Sequence, residues 1–183
     1  MSKFIPVPIK SKRPTKRDKF VVAKAVDFAI EPVLAWLRQD DPEAGKDEQD
    51  LASIRSDIEE ALGGWDLDGY KLAKRLDDWD PDAALVEVLS NADSWVTKAH
   101  DLAVGEWVQI HTPPTVPDGT QVAFKERAGG KLILGTVTRS YGLARFVVNC
   151  PSLGHGPGAG RIIEYENLET PPEGPEKTVI AGA

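Results

Sequence analysis

The sequence predicts an α+β protein, in which an acidic helical subdomain is followed by a small antiparallel β-barrel. Apolar residues recur at helical spacing between residues 19 and 104, whereas β-rich runs with alternating character follow beyond residue 105. Charge is also segregated, with net +7 over residues 1–26, −14 over residues 27–106 and zero over residues 107–183. Such asymmetry carries information about binding partners more than about the fold.

The length of 183 residues is sufficient for two small hydrophobic cores. We expect an extended basic arm at 1–18, the helical subdomain at 19–104, the β-barrel at 105–169 and a Pro-rich C-terminal tail at 170–183. Since Cys150 is the only cysteine, we expect no internal disulfide. No signal peptide is recognisable, and no uncharged run reaches the ~20 residues of a membrane-spanning helix. These features predict a cytoplasmic protein, or a virion protein if phage-encoded, with no membrane partner.

The arm at residues 1–18 contains three prolines, which fix φ and remove backbone donors, so we expect an extended conformation. Its basic residues, together with the first lysine of the next segment, are candidate partner-binding residues: Lys10, Lys12, Arg13, Lys16, Arg17 and Lys19. These cations are suited to the phosphates of nucleic acid or to the acidic body of another molecule. No aromatic residue is interleaved with them, so base stacking is not indicated.

Residues 18–38 have the pattern of a helix that is apolar on nearly every face. The polar positions fall on one narrow stripe: Lys24, Asp27, Glu31 and Arg38. We expect Pro32 to kink or split this helix. Such a helix is buried either in its own core or against another chain, and we keep both alternatives. The large side chains that would make the interchain contact are Phe20, Phe28 and Trp36.

A second helix is predicted from Leu51 to Leu62, where Gly63-Gly64 supplies a stop. The pattern Trp-Asp-x-Asp then occurs twice, at residues 65–68 and 79–82, and both copies indicate helix starts. In the second copy we expect Asp80 as N-cap and Pro81 as the first helical residue.

The first copy repeats this arrangement, with Asp66 in the place of the cap. Trp65 and Trp79 would each pack as a hydrophobic staple, on Tyr70 and Ala84 respectively.

A calcium loop is the alternative interpretation of the second copy, because Asp78, Asp80 and Asp82 match its first three ligand positions. Such a loop requires glycine where Ala83 stands and glutamate where Leu89 stands. We therefore expect no metal ion here.

A helix is also predicted from Pro81 to about Val104, ending at Gly105. The segment DGYKLAKRLDDWDPDAALVEVLSNADSWVTKAH, residues 68–100, resembles a stretch of uncharacterised small proteins of bacterial phages and plasmids. The resemblance implies a mobile-element origin and no particular activity.

Beyond Gly105 five β-rich runs are separated by turn residues. They are Trp107 to His111, Gln121 to Lys125, Leu132 to Thr138, Ala144 to Cys150 and Arg161 to Tyr165. The patterns LILGTVTRSYGLARFVV and IIEYENLE resemble an SH3-like barrel, a fold that implies no function by itself.

Few residues suggest catalysis. Cys150 and His155 are compatible with a nucleophile and its base, but no third group is available to orient the histidine, and a buried structural cysteine is the favoured interpretation. The glycines between residues 154 and 160 precede a strand, whereas phosphate loops lead into a helix, so a hairpin loop is favoured. His100 and His111 are isolated. We expect no enzyme activity, cofactor, metal or small-molecule substrate.

The leading hypothesis is therefore a phage or mobile-element assembly or accessory protein that acts through protein–protein contacts, including contacts with its own copies. Its arm and tail would lace subunits together. The alternative is a regulatory or inhibitory protein, which binds nucleic acid through residues 1–19 or mimics nucleic acid with its acidic helical face.

Overall fold

The computed structural model describes residues 4–9, 11–64, 66–76, 79–126, 130–154, 156 and 159–172. The described residues of Met1–Lys12 and Val108–Ala183 form one compact unit, and Arg13–Trp107 form the other. We refer to them as the β unit and the helical unit. The first 18 residues, predicted as one arm, are thus divided between the two units after Lys12.

The described residues contain five α-helices: α1 Lys19–Leu37, α2 Glu48–Leu62, α3 Gly69–Arg75, α4 Ala83–Leu89 and α5 Ala92–His111. Helix α1 contributes buried residues along most of its length to the core of the helical unit. Its buried residues are Val21, Val22, Ala25, Val26, Ala29, Ile30, Val33, Leu34 and Trp36. Asp27 and Glu31 are exposed, as the polar stripe predicts, and the helix continues through Pro32. The interpretation of α1 as part of its own core is confirmed.

Both Trp-Asp-x-Asp motifs precede helices, but the second aspartate of each is the N-cap. At α4 the carboxylate of Asp82 accepts a hydrogen bond of 2.8 Å from the backbone N–H of Leu85. Asp80, predicted as the cap, has a φ of 50°. This left-handed backbone differs from the extended backbone of an N-cap residue, and α4 begins two residues later than predicted.

In the first motif, too, the second aspartate is the N-cap. Asp68 caps α3 by accepting a 3.2 Å hydrogen bond from the N–H of Lys71. Asp66, predicted as the cap, instead binds the ammonium group of Lys71, and this hydrogen bond lowers the pKa of the Asp66 carboxyl. Trp65, predicted as a staple, is outside the described residues.

The single helix predicted over residues 81–104 is in fact two helices. Ser90 donates from its hydroxyl to the carbonyl of Val86 at 2.8 Å, and Asn91 donates from its amide to the carbonyl of Val88 at 3.1 Å. These side chains satisfy carbonyl groups at the end of α4, so the chain can break and restart as α5.

The first predicted strand, residues 107–111, is the last part of α5. Ala103, Val104 and Trp107 are all buried and lie on one helical face, so their packing overrides the β-like composition of this run. Gly105, predicted to stop the helix, is inside it.

The described part of the β unit contains four strands in place of the five predicted: β1 Gln121–Lys125, β2 Leu132–Gly142, β3 Arg145–Asn149 and β4 Arg161–Glu164. They form one antiparallel sheet in the order β1-β2-β3-β4, which curls into a half-barrel. The β2–β3 register shifts twice, between Val137 and Arg139 and between Ser140 and Gly142. Such bulges bend and twist a sheet, which accounts for the curl.

The core of the β unit is formed by residues of the sheet together with residues of the adjoining segments. It consists of Phe4, Val116, Val122, Phe124, Ile133, Val137, Phe146, Val148, Cys150, Tyr165 and Leu168. The α+β class predicted from the sequence is therefore confirmed.

Candidate partner-binding site

The first part of the arm, residues 4–9, contacts the β unit of its own chain. Phe4 is only 7% exposed, and its ring meets that of Tyr165 edge to face, with 6.0 Å between the centroids. The backbone N–H of Val7 donates a 2.9 Å hydrogen bond to the Tyr165 hydroxyl. The side chains of Ile5 and Val7 are exposed. Residues 4–9 are therefore held by the buried Phe4 ring and by the Val7 hydrogen bond, whereas the side chains of Ile5 and Val7 are exposed.

The second part of the arm, before α1, lies along α5. Arg13 is buried, with its guanidinium carbon 5.0 Å from the centroid of the Trp107 ring. The carbonyl of Pro14 accepts a hydrogen bond of 3.1 Å from Nε2 of His100. His100, isolated in sequence, therefore has a structural partner that only the folded chain supplies.

Lys16 makes a charged contact between this segment and α5. Its ammonium lies 3.1 Å from Oδ1 of Asp93 and 2.7 Å from Oγ1 of Thr97, both on α5. Asp93 belongs to the acidic body identified in the sequence, so the basic arm and an acidic helix do meet. They meet within one chain here.

The nine predicted partner-binding residues are placed in different environments. Lys12, Arg17 and Lys19 are exposed, Arg13 and Lys16 make the contacts described above, and Lys10 is outside the described residues. Of the three aromatic candidates, Phe20 is 56% exposed, Phe28 packs partly against the helical core and Trp36 is buried. Partner binding through these residues stays a prediction, and Phe20 is the apolar member best placed for it.

Trp36 forms a structural cluster with the second motif. Its ring stacks on that of Trp79, with centroids 6.4 Å apart and planes at 12°. Nε1 of Trp36 donates to Asp82 at 2.9 Å, and Nε1 of Trp79 donates to Asp57 at 3.2 Å. The hydrogen bond from the Leu85 N–H, helped by the one from Trp36, lowers the pKa of Asp82. The motif therefore joins α1, α2 and α4.

Of the residues considered for nucleophilic chemistry, Cys150 lies within the described part of the chain. Cys150 is buried, donates weakly from its thiol to the carbonyl of Val148 at 3.4 Å, and has a pKa raised by burial. His155 and Asp78 are outside the described residues. Within those residues no group of three His, Cys, Asp or Glu side chains is arranged to hold a metal ion.

The Gly-rich loop joins β3 to its neighbour β4, as the hairpin interpretation predicts. The side-chain amide of Asn149 donates to the carbonyls of Gly156 and Ala159, at 3.0 and 2.7 Å. These two hydrogen bonds connect the described part of the loop to Asn149 at the end of β3.

The open seam of the half-barrel is a further surface, which the sequence did not indicate. The two edge strands, β1 and β4, line one cleft of about 430 Å³. Its lining residues are Phe124, Lys125, Glu126, Arg145, Arg161, Ile162, Ile163, Glu164 and Asn167. An ion pair between Arg161 and Glu126 connects β4 with the residue that follows β1.

The two edges of the sheet differ. At β1, Ala123 exchanges backbone hydrogen bonds of 3.0 and 2.6 Å with Glu169, and Lys125 is 3.0 Å from the Glu169 carboxylate. At β4, no second strand is paired among the described residues, and Ile162 is 47% exposed. The sequence predicts the strand β4, but its pattern does not show which strand lies at the edge of the sheet.

No helix within the described residues is long and apolar enough to cross a membrane. Neither a family model, nor a curated protein, nor a solved structure matches this chain.

Proposed function

We propose that this protein is a non-enzymatic assembly or accessory protein of a phage or related mobile element, acting through protein–protein contacts in the host cytoplasm or the virion. The mobile-element origin rests on the resemblance of residues 68–100. The proposed mode of action is supported by two places on the chain to which the arm binds. Phe4 enters the β core, and Lys16 reaches Asp93 on α5.

An arm with its own binding sites can be exchanged between copies of a chain. Exchange of an identical segment preserves each contact, so the closed and exchanged forms differ mainly in entropy and concentration dependence. The Lys16–Asp93 pair is exposed and contributes at most about 1 kcal/mol. Burial of the Phe4 ring contributes about 2 to 3 kcal/mol, so this ring is the main anchor. The tail at 170–183, proposed as a second lace, lies mostly outside the described residues.

The β unit supports the same mode of action if the half-barrel belongs to the SH3-like class. A meander of antiparallel strands, with bulges between β2 and β3 and an edge at β4, supports this assignment. Small barrels of this kind present loops and strand edges to other polypeptides. We assign no catalytic step to either unit.

Zero-length cross-linking tests arm exchange directly, since a carbodiimide joins a lysine to a carboxylate only when they touch. Unlabelled and ¹⁵N-labelled chains are mixed at high concentration, cross-linked and digested, and the peptide pair containing Lys16 and Asp93 is analysed by mass spectrometry. Exchange gives pairs in which one peptide is labelled and the other is not. The variant Lys16→Arg keeps the charge but cannot form the amide, so it identifies the signal. Cross-links confined to uniformly labelled and uniformly unlabelled pairs would exclude lacing by the arm.

A second candidate is mimicry of nucleic acid by the acidic helical face, so that the protein occupies a basic nucleic-acid-binding protein. Five carboxylates favour it, because they are exposed and form no ion pair among the described residues: Asp40, Asp41, Glu48, Glu59 and Glu60. Contact of the arm with nucleic acid is less favoured, since Arg13 and Lys16 already bind within the chain. Competition with duplex DNA for a basic DNA-binding protein, in a salt series, distinguishes mimicry from direct DNA binding.

A further inference from the structure

We propose that the tip of the β2–β3 hairpin binds single-stranded nucleic acid through Arg139, Tyr141 and Arg145. This activity is additional to the protein–protein contacts proposed above. The first observation is the charge of the segment. Residues 127–163 contain five Lys or Arg and no Asp or Glu, although the chain has 29 acidic residues. The net charge of zero over residues 107–183 therefore includes a purely basic segment, to which β2 and β3 belong.

The strand register places two arginines on the same face of the sheet. Phe146 and Val148 belong to the core of the β unit. Arg145 alternates with them along β3, so it is on the opposite, outer face. Arg139 is paired with Val147, two residues from Arg145, and is on the outer face as well. Diagonal neighbours of this kind lie roughly 7 to 8 Å apart, so both guanidinium groups can contact one polyanion.

An exposed aromatic ring accompanies the two arginines. The register shift between Ser140 and Gly142 leaves Tyr141 as the extra residue of a bulge, and bulges re-aim side chains. The guanidinium carbon of Arg145 is 5.4 Å from the centroid of the Tyr141 ring, which is a cation–π contact. Tyr141 is nevertheless 48% exposed, so part of its ring is accessible to a base.

The turn of the hairpin holds this group of side chains in place. Leu143 and Ala144, the two residues between β2 and β3, have φ angles of 48° and 52°. Leucine and alanine seldom adopt this left-handed backbone, which persists where surrounding contacts enforce it and is frequent at ligand-binding sites. The carbonyl of Ala144 accepts a 2.9 Å hydrogen bond from the N–H of the buried Tyr165. The tip is therefore fixed to the core before any ligand binds.

The combination of groups matches the two chemical parts of a nucleotide. Proteins bind single strands by stacking bases on aromatic rings and by pairing cations with phosphates. The bases of a duplex are already stacked on each other, so a single strand makes better use of Tyr141. Ile162, which is 47% exposed, is paired with Val147 and extends the outer face with an apolar contact for a second base. An acidic polypeptide would use the arginines without the ring.

An acidic residue limits this surface on one side. Glu164 is paired with Arg145 across β3 and β4, and its carboxylate accepts a 3.1 Å hydrogen bond from the side-chain amide of Asn167. Arg139 is exposed and forms no ion pair among the described residues. We therefore expect Arg139 to make the stronger phosphate contact and Glu164 to oppose binding. With two phosphate contacts, the Kd at physiological salt should be on the order of 10⁻⁴ to 10⁻⁶ M, as in non-specific binding.

Fluorescence anisotropy with a labelled oligothymidylate of about 12 nucleotides provides the test, since single-strand-binding domains cover roughly 4 to 16 nucleotides. Tyr141→Ala should weaken binding about 5- to 100-fold by loss of one stacked base, whereas Tyr141→Phe keeps the ring and should bind like the wild type. Arg139→Gln should weaken binding and reduce the slope of log K against log salt by about 0.7. Glu164→Gln, which keeps an acceptor for Asn167, should strengthen it.

Matched controls separate the site from general attraction and from the arm. Lys131→Gln removes the same charge from an exposed position just before β2, roughly 25 Å along the strand from Arg139, and should change the affinity by less than about twofold. Lys12→Gln, at an exposed position of the arm, should have an equally small effect. Thermal melting verifies that each variant is folded. An oligouridylate should bind like the oligothymidylate, and a duplex of equal length should bind more weakly.

Three results would overturn the proposal. They are the absence of binding at low salt, unchanged binding by Tyr141→Ala, and equal losses for Lys131→Gln and Arg139→Gln. If polyglutamate displaces the labelled strand as readily as unlabelled oligothymidylate does, charge alone is recognised and an acidic polypeptide is the better ligand, which would also overturn it. The arm-exchange cross-links are independent of each of these outcomes.

Discussion

The rings of Phe4 and Tyr165 meet edge to face, with their planes at 81° and their centroids 6.0 Å apart. The hydroxyl of the same tyrosine accepts the 2.9 Å hydrogen bond from the Val7 N–H. One buried side chain therefore anchors the N-terminal arm by an aromatic contact and by a backbone hydrogen bond. Phe4, in the first part of the arm that the sequence predicts to be extended, is in this way part of the β core.

This anchor predicts a large effect of truncation at Phe4. Phe4→Ala should lower the free energy of unfolding of the β unit by about 3 kcal/mol, because a buried ring is replaced by a cavity. Tyr165→Phe should lower it by about 1 kcal/mol, through loss of the acceptor for the Val7 N–H. Urea denaturation measures both. Ile5→Ala, at a residue 76% exposed, is the matched control and should change it by less than about 0.5 kcal/mol. Equal effects at Phe4 and Ile5 would contradict the anchor.

The cap of α4 predicts a pH-dependent contribution from Asp82. Its hydrogen bonds from Leu85 and Trp36 hold its pKa below the ordinary value of 3.8. A lowered folded-state pKa contributes stability that is complete above about pH 3.8 and is lost as the pH falls through the lower folded value. Asp82→Asn should retain the cap and the bond from Trp36 at pH 7, but lose less stability than the wild type on acidification below pH 3.8. Thermal melting at a series of pH values measures this difference.

Removal of the cap altogether is the companion experiment. Asp82→Ala leaves the Leu85 N–H and the Trp36 indole without their acceptor, so its melting temperature should fall by several degrees even at pH 7. An Asp82→Ala protein as stable as Asp82→Asn would contradict the role of this carboxylate.

Burial predicts that Cys150 is unreactive in the native protein. Because the raised pKa suppresses the thiolate and the side chain is covered, modification by a disulfide reagent at pH 8 should be slower than in the unfolded chain by at least about 100-fold. The double variant Cys150→Ala/Ser152→Cys places a thiol at a neighbouring exposed position and should react rapidly without denaturant. Fast modification of native wild-type protein would mean that the thiol is accessible.

Close packing at Gly135 predicts a penalty for a single methyl group. A Cβ there would lie 2.5 Å from Cγ1 of Val148 and 2.7 Å from the carbonyl oxygen of Asn149, so Gly135→Ala should destabilise the β2–β3 pair by about 1 to 3 kcal/mol. At Gly156 a Cβ would meet no atom within 4 Å, which makes Gly156→Ala the matched control. Urea denaturation should show a large effect for the first variant and almost none for the second.

Sequence patterns predicted the structure correctly where the conformation depends on residues that are close together in the sequence. The spacing of apolar residues predicted α1, α2 and the α+β class, and the two tryptophan-aspartate motifs predicted helix starts. The caps were placed two residues early at Asp66 and Asp80, because both aspartates of each motif are competent caps. In the folded chain Asp80 has a φ of 50° and Asp66 binds Lys71, and the second aspartate of each motif is the cap.

By itself, the sequence determined the order of most helices and strands, the burial of α1 and the segregation of charge, since these follow from side-chain periodicity and composition. The tertiary structure decided that residues 107–111 continue α5, that Phe4 and Lys16 contact their own chain, and that β4 is an unpaired edge among the described strands. The physical reason is that long-range packing energy, which no local pattern contains, outweighs the small differences between helix and strand propensity. The same packing determines which charges remain available to another molecule.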